Sequence, residues 1–170
     1  MSERDVELPW LLSLPLVYPV LDVGCVESMY HAELAALGPV DGIDLRPVES
    51  DVLRNGIVAD IRNWISPEKY PSIVAISSLE HVGLDAYGFE ADEFGGTRQA
   101  IEGCLNNLAE DGTLYVTVPC GDTHEHREWY IRYSPATLDR MLDGLNVTSM
   151  EIVYNNDWRV QGVAMFSIRH

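Results

Sequence analysis

Residues 20–28, with the sequence VLDVGCVES, constrain the possible folds of this chain more than any other stretch. A short apolar run reaches Asp22 and Gly24, and residues 29–37 then have the composition of a helix that stops at Gly38. This succession predicts a strand, a tight turn and a helix, which together form the first unit of a βαβ fold. Turns of this kind lie at the carboxyl edge of a parallel sheet, where α/β proteins bind their ligands.

A second acidic residue follows at a spacing that favours nucleoside binding. Asp44 ends the apolar run of residues 40–44 and lies twenty positions after Gly24. An acid at that distance can accept hydrogen bonds from the hydroxyl groups of a ribose. The alternatives are that Asp44 is only a turn residue and that Asp22 is only a solvated acid at the end of a strand.

The turn lacks the glycines that a dinucleotide site requires. The second and third glycine positions of G-x-G-x-x-G fall on Val26 and on Glu27 or Ser28, depending on the register. We expect Glu27 to place a carboxylate at the start of the following helix, which would repel a phosphate and suit a cation. S-adenosylmethionine carries a sulfonium and an ammonium group and no phosphate, so it fits this turn better than the dinucleotide of an NAD-dependent oxidoreductase.

Four segments resemble the class I S-adenosylmethionine-dependent methyltransferases. Residues 20–28 are similar to the first motif of that family, hh-D-h-G-x-G-x-G, although Val26 and Ser28 stand where the family has glycines. The other similar segments are those of the second-strand acid, the adenine-side acid and the fifth strand, at residues 42–44, 58–61 and 112–119. The four matches occur in the order that the family has.

The resemblance implies S-adenosylmethionine as the cofactor and suggests which residues hold each of its parts. Asp22 and the backbone at Gly24 would hold the amino-acid end, Asp44 the ribose, and Asp60 with Ile61 the adenine. The full predicted cofactor site comprises Asp22, Gly24, Cys25, Glu27, Asp44, Leu45, Asp60, Ile61 and Ser77. For Cys25 the alternative is a small residue of the loop.

Three histidines are candidate general bases, because imidazole titrates near neutral pH. His81 directly follows the fourth predicted strand, where the transferring methyl group should lie, and His124 and His126 come from the facing loop. The alternative for His81 is a structural hydrogen-bond donor, and for the other two an exposed charged loop. Glu80 could orient His81, bind the substrate or be held by backbone amides.

The same side chains, Glu80, His81, His124 and His126, have the chemistry of divalent-metal ligands. Some methyltransferases use an E-x-x-E-H run and a later histidine, and in this chain Ser77 replaces the first glutamate of that run. With one ligand missing, we predict no metal site.

Residues 77–84, with Tyr87 and Gly88, resemble a poorly characterised branch of the family that is often associated with cell-surface polysaccharide biosynthesis. The predicted acceptor is an O or N nucleophile of a small molecule or glycan precursor, facing loops 83–96 and 120–133. The candidate substrate-binding residues are Glu80, Tyr87, Arg127, Trp129 and Tyr130. The alternative is a catalytically degenerate module that binds a nucleoside or a protein partner, which the altered glycine loop favours.

The predicted fold class is α/β, with residues 1–170 forming one Rossmann-like, doubly wound domain. The sheet is expected to have about seven strands, mostly parallel, at residues 18–23, 40–45, 56–59, 72–77, 112–119, 146–154 and 160–168. The last two strands alternate in polarity and would form an antiparallel hairpin. Residues 1–17 are expected to cap the sheet edge or the ligand mouth, and Ser134 with Pro135 predicts the start of a late helix.

Charge and cysteine usage limit the partners and the compartment. The formal net charge is −16 and no basic stripe is visible, which argues against nucleic acid and anionic membranes as partners. Cys25, Cys104 and Cys120 form no C-x-x-C pair, which favours a reducing cytoplasm. Prolines interrupt the apolar residues 8–21, so no membrane span is predicted.

Overall fold

The computed structural model describes residues 2–84, 94, 96–155, 158 and 160–170. Its helices are α1 (Arg4–Ser13), α2 (His31–Leu37), α3 (Thr97–Asn107) and α4 (Pro135–Met141). Its strands are β1 (Val20–Val23), β2 (Val40–Asp44), β3 (Asn55–Val58), β4 (Tyr70–Ile76), β5 (Leu108–Cys120), β6 (Glu125–His126), β7 (Ile131–Arg132), β8 (Asn146–Tyr154) and β9 (Gly162–Arg169). Short 3₁₀ turns follow β1 at Cys25–Glu27 and β4 at Leu79–His81.

Seven strands form one sheet in the order β3-β2-β1-β4-β5-β9-β8. β1 pairs in parallel with β2 and β4, and the parallel pairing extends to β3 and β5. β9 is antiparallel to both β5 and β8. The predicted mostly parallel sheet with a C-terminal antiparallel hairpin is therefore confirmed. The chain runs outward from β1 to β3 and then returns to place β4 on the other side of β1, which opens a crevice at the carboxyl ends of these strands.

Alternate residues of the central strands point to opposite faces of the sheet, as the strand repeat of two requires. One face packs on α1 and α2, through Leu11 and Leu34, and its strand residues include Val20, Val40, Val74 and Tyr115. The other face packs on α3 and α4, and its strand residues include Leu21, Ile43, Ile73 and Leu114. Burial on both faces explains why these strands read as continuous apolar runs.

The structure differs from the predicted elements at the start of α2. The sequence predicts a helix from Met29, but α2 begins at His31 and a separate 3₁₀ turn covers Cys25–Glu27. The extended backbone of Ser28 ends that turn and separates it from the helix. Glu27 therefore lies outside the first turn of α2, where the sequence prediction placed its carboxylate.

The predicted start of the late helix is confirmed. Ser134 caps α4 by accepting a hydrogen bond from the backbone N–H of Thr137, and Pro135 is the first residue of that helix. The cysteines are free and buried, and Cys104 lies on the face of α3 that packs into the core. None of the described helices has the length and apolar character needed to cross a membrane.

Gly24 lies where the turn after β1 meets the turn after β4. Its φ of +76° is a left-handed conformation that L residues adopt at a cost. A Cβ atom at this position would also lie 2.5 Å from the Cβ of Ser78. Both the backbone conformation and the contact therefore require glycine.

We expect Gly24→Ala to lower the free energy of unfolding by more than Gly144→Ala does. Gly144 has the same φ of +76°, but a Cβ there would meet nothing within 4 Å. Gly144→Ala should cost about 1–2 kcal/mol from backbone strain alone. Gly24→Ala adds the collision with Ser78, an overpacking cost of about 1–3 kcal/mol. Urea unfolding of both variants measures the difference, and equal losses would contradict the steric role of Ser78.

Candidate active site

A cavity of about 450 Å³ opens at the carboxyl ends of β1 to β4. The residues that line it include nine of the predicted site residues: Gly24, Glu27, Asp44, Leu45, Asp60, Ile61, Ser77, His81 and Trp129. Residues that follow four different strands thus meet at one edge of the sheet, because parallel strands have their carboxyl ends on the same side.

Asp44, at the end of β2, is held by the turn after β1 and by its own loop. Its carboxylate accepts hydrogen bonds from the backbone N–H of Val26 at 3.1 Å and of Arg46 at 2.9 Å. The Arg46 guanidinium also donates to Asp44 at 3.3 Å and to Glu27 at 2.7 Å. These hydrogen bonds raise the pKa of Arg46 and keep it charged.

The ion pair with Arg46 changes the role of Glu27. The Glu27 side chain is 80% exposed, and its carboxylate is paired rather than aimed at the start of α2. The sequence prediction that Glu27 places its carboxylate at the start of α2 is therefore wrong, and Arg46, two residues after Asp44, offsets part of the acidic charge at this turn. Arg46 was missed, and its signal was its position directly beyond a strand-end acid.

Asp60 and Ile61 follow β3 and line the cavity beyond Asp44. The Asp60 carboxylate is paired with Arg62 at 2.6 Å, and this hydrogen bonding lowers the pKa of Asp60. Ile61 is buried and Leu45 is half-exposed, so this end of the cavity combines apolar side chains with a charged rim. Such a surface suits a flat aromatic ring that carries polar edges.

Asp22 is fully buried and lies outside the cavity lining. It accepts hydrogen bonds from the Tyr30 hydroxyl at 2.9 Å and from the His31 Nε2 at 2.8 Å. Tyr30 itself lines the cavity. Asp22 therefore lies behind Tyr30, and its hydrogen bonds join the end of β1 to the start of α2.

Cys25 also lies outside the cavity lining and is fully buried. Its sulfur packs on Gly42 of β2, where a Cβ atom would approach Sγ to 2.6 Å. Burial raises the pKa of the Cys25 thiol to about 12, so the thiol is protonated at neutral pH. This placement matches the small loop residue that the sequence left open as the alternative.

Glu7 of α1 is a buried acid at the site that the sequence did not indicate. Its Oε1 accepts hydrogen bonds at 2.5 Å from the hydroxyls of Ser77, after β4, and of Thr117, in β5. Its Oε2 pairs with Arg4, which lines the cavity. Glu7 and Leu11, four residues apart on one helix face, are the buried residues of α1, and that spacing was the available signal.

His81 lines the cavity, and its Nδ1 is hydrogen-bonded to the backbone carbonyl of Trp129. A carbonyl can only accept, so this contact places the ring proton on Nδ1 and makes Nε2 the basic nitrogen. Burial lowers the pKa of His81, which favours the neutral imidazole.

Glu80 is buried behind His81, and its Oε1 lies 3.8 Å from the His81 Nε2. Its Oε2 has no hydrogen-bond partner among the described residues. Burial raises the pKa of Glu80 to about 8, and the nearby charge of Glu7 adds to this effect. Glu80 lies outside the cavity lining. This arrangement therefore does not give it the direct substrate contact that the sequence suggested.

The remaining candidates from loop 120–133 lie away from the cavity lining. The ring of His124 packs against His126 and Tyr133, with centroids 5.1 Å and 5.7 Å away. Arg127 forms an ion pair with Glu125, and Tyr130 packs near Trp158. β6 and β7 pair within this loop. Trp129 lies between these two strands and lines the cavity. Tyr87 and most of loop 83–96 lie outside the described residues.

The four possible metal ligands do not form one cluster. Within the described parts of the chain, no group of three or more histidine, cysteine, aspartate or glutamate side chains is arranged to hold a metal ion. His124 instead packs against His126 and Tyr133, whereas His81 lines the cavity.

No protein-family model matches the sequence, and no curated protein matches it. Several solved structures are similar to this one. The N-methyltransferase NodS from Bradyrhizobium japonicum, in complex with S-adenosylhomocysteine, is 16% identical, with 99% of this chain and 87% of NodS covered and a TM-score of 0.68. The 1,6-didemethyltoxoflavin-N1-methyltransferase of Burkholderia thailandensis is 17% identical, with coverages of 98% and 76% and a TM-score of 0.67. The glycopeptide N-methyltransferase MtfA is 11% identical, with coverages of 99% and 87% and a TM-score of 0.66.

These similarities, together with the strand order, define the fold. It is the Rossmann-like fold of the S-adenosylmethionine-dependent methyltransferases, as the sequence predicted.

The raised pKa of Glu80 predicts that stability falls as pH rises. The folded protein retains the Glu80 proton up to about pH 8, whereas the unfolded chain releases it near the ordinary value of 4.5. Between these values ionisation favours the unfolded chain, so the free energy of unfolding should fall by up to about 1.4 kcal/mol per pH unit, the limit for one proton. Glu80→Gln should remove this part of the slope.

Urea unfolding from about pH 5 to about pH 8 measures both slopes, with the exposed Glu68→Gln as the control. The slope of the control should equal that of the wild type. Identical slopes for Glu80→Gln and the wild type would contradict a buried, protonated Glu80.

Proposed function

We propose that this protein is an S-adenosylmethionine-dependent methyltransferase whose cofactor binds in the cavity at the carboxyl ends of β1 to β4. The observation that carries the proposal is that Gly24, Asp44, Asp60 and His81 line the same cavity. Gly24, Asp60 and His81 follow β1, β3 and β4, and Asp44 is the last residue of β2. The proposal therefore rests on a site assembled from four strand ends, on the fold in which such sites occur.

The residues of the cavity fit this cofactor. Ser78 lines the cavity, and its buried hydroxyl has no partner among the described residues, so it can meet a polar group of a ligand. Asp44 has two oxygens with about four lone-pair sites, and Oδ2 accepts only the Val26 N–H among the described residues, so it can also accept a ribose hydroxyl. Leu45 and Ile61 supply apolar contacts for the adenine.

The cofactor, when bound, supplies an electrophilic methyl group, and the protein has to align the acceptor and remove its proton. His81 is the proposed base. Its Nδ1 is anchored on the Trp129 carbonyl, and its lowered pKa keeps the imidazole neutral and ready to take a proton at Nε2. Glu80, whose Oε1 lies 3.8 Å from the same Nε2, is proposed to position the His81 ring.

The proposed acceptor is an O or N nucleophile of a small molecule or glycan precursor. The similar structures include N-methyltransferases, one of them with bound 1,6-didemethyltoxoflavin, which supports a small acceptor. The resemblance of residues 77–84 to a polysaccharide-associated branch supports the glycan precursor. The charge of −16 disfavours nucleic acid as the acceptor, and the reduced cysteines support a cytoplasmic location.

We expect Asp44→Ala to weaken the binding of S-adenosylhomocysteine by about 1–3 kcal/mol, because a ribose hydroxyl would lose its buried partner. Isothermal titration calorimetry measures this change. Asp51→Ala removes an exposed acid outside the cavity and should leave the affinity unchanged. An unchanged affinity in Asp44→Ala would remove Asp44 from the cofactor site.

Replacing His81 should separate catalysis from cofactor binding. Loss of a general base should lower turnover by about 10²–10⁴-fold in His81→Ala, while the affinity for S-adenosylhomocysteine remains that of the wild type. Release of S-adenosylhomocysteine with a panel of small amines and hydroxylated sugars measures turnover. In the wild type, the rate should fall with acid as His81 becomes protonated.

The matched comparison is His126→Ala, because His126 is exposed and lies outside the cavity lining. It should retain the turnover of the wild type. Loss of both turnover and cofactor affinity in His81→Ala would mean that His81 is structural. A wild type that binds the cofactor and methylates no acceptor would favour the degenerate nucleoside-binding module.

A further inference from the structure

Helix α1 brings a cation to the end of the cavity that lies away from the adenosine residues. Arg4 lines the cavity and pairs with Glu7, which is hydrogen-bonded to Ser77 after β4 and to Thr117 of β5. Asp60 follows β3, and β2 and β1 lie between β3 and β4 in the sheet. Three interstrand spacings, about 14 Å in total, therefore separate the two strand ends.

Arg4 retains unused hydrogen-bonding capacity. A guanidinium carries five N–H donors in a planar fork. Within the described residues, the hydrogen bond of Arg4 is the one from Nη1 to the Glu7 Oε2 at 3.1 Å. The Arg4 side chain is 39% exposed, whereas Glu7 is fully buried. Glu7 thus fixes the guanidinium in place while the other donors stay available for a ligand.

The other two arginines of the cavity are already committed to acids at the adenosine end. Arg46 pairs with Asp44 and Glu27, and Arg62 pairs with Asp60. All three of these acids line the cavity together with their arginines. The acid partner of Arg4, in contrast, lies outside the lining, so the guanidinium is the member of this ion pair that the cavity presents to a ligand.

We propose that Arg4 binds the carboxylate of the methionine part of the cofactor. The proposal rests on the proposed function above and extends it to the N-terminal helix. With the ribose on Asp44 and the adenine beside Ile61, the amino-acid part extends past Gly24 toward Ser77 and the guanidinium of Arg4. A carboxylate matches the fork of an arginine, which can donate two parallel hydrogen bonds to it.

Two ligands that differ in the amino-acid part test this assignment by isothermal titration calorimetry. S-adenosylhomocysteine has the carboxylate, whereas 5′-methylthioadenosine has the same adenosine and thioether without the amino acid. Arg4→Gln should raise the Kd of S-adenosylhomocysteine at least about tenfold, equivalent to about 1.4 kcal/mol. The Kd of 5′-methylthioadenosine should stay that of the wild type. Arg4→Lys keeps the charge but loses the fork, so its effect should be intermediate.

The control is Arg140→Gln, which removes an exposed arginine of α4 outside the cavity and should change neither Kd. Glutamine at position 4 can still donate to Glu7, and thermal unfolding of Arg4→Gln checks that α1 stays docked. If Arg4→Gln leaves the Kd of S-adenosylhomocysteine unchanged, the proposal is wrong, including when Arg4 serves an acidic acceptor instead. Equal weakening of both ligands would also overturn it, because Arg4 would then act through the fold. A wild type that binds neither ligand overturns the proposed function itself.

Discussion

The close contact between Gly24 and Ser78 is the constraint on which the rest of the site depends. The turn after β1 can approach the turn after β4 only because the position that meets Ser78 has no Cβ atom. The two strands are neighbours at the point where the direction of the sheet order reverses, so their loops diverge beyond this contact. The cavity forms where these two loops diverge, and its side chains are positioned relative to the two turns.

Electrostatic pairing then decides what the cavity presents to a ligand. The protein as a whole is strongly acidic, yet the cavity contains three arginines beside its acids. Asp44, Glu27 and Asp60 are each paired with an arginine from a neighbouring loop position. Arg46 and Arg62 offset two of these three carboxylates, so this part of the cavity is much less acidic than the chain as a whole. The buried Glu7 attaches α1 to the sheet. It accepts hydrogen bonds from the hydroxyls of Ser77, after β4, and of Thr117, in β5.

Much of the fold and part of the site could be predicted from the sequence because they are encoded locally. Gly24, Asp44, Asp60 and His81 each lie at or beyond the carboxyl end of a parallel strand, and parallel strands carry such residues to one edge of the sheet. The same reasoning failed for His124 and His126. They also follow a buried strand, but at the short β6–β7 hairpin His124 packs between His126 and Tyr133, and neither histidine lines the cavity. A position after a strand end therefore does not by itself bring a side chain into the cavity.

The sequence by itself determined the order of strands and helices, the strand-end acids and the glycine at the first turn, because periodicity and turn chemistry act over a few neighbouring residues. The tertiary structure alone decided which loops reach the cavity and which charges meet. Glu7 and Thr117, for example, are 110 positions apart in the chain and share one hydrogen bond. Contacts over such separations depend on how the helices pack on the sheet, and the chain order carries no local signal for them.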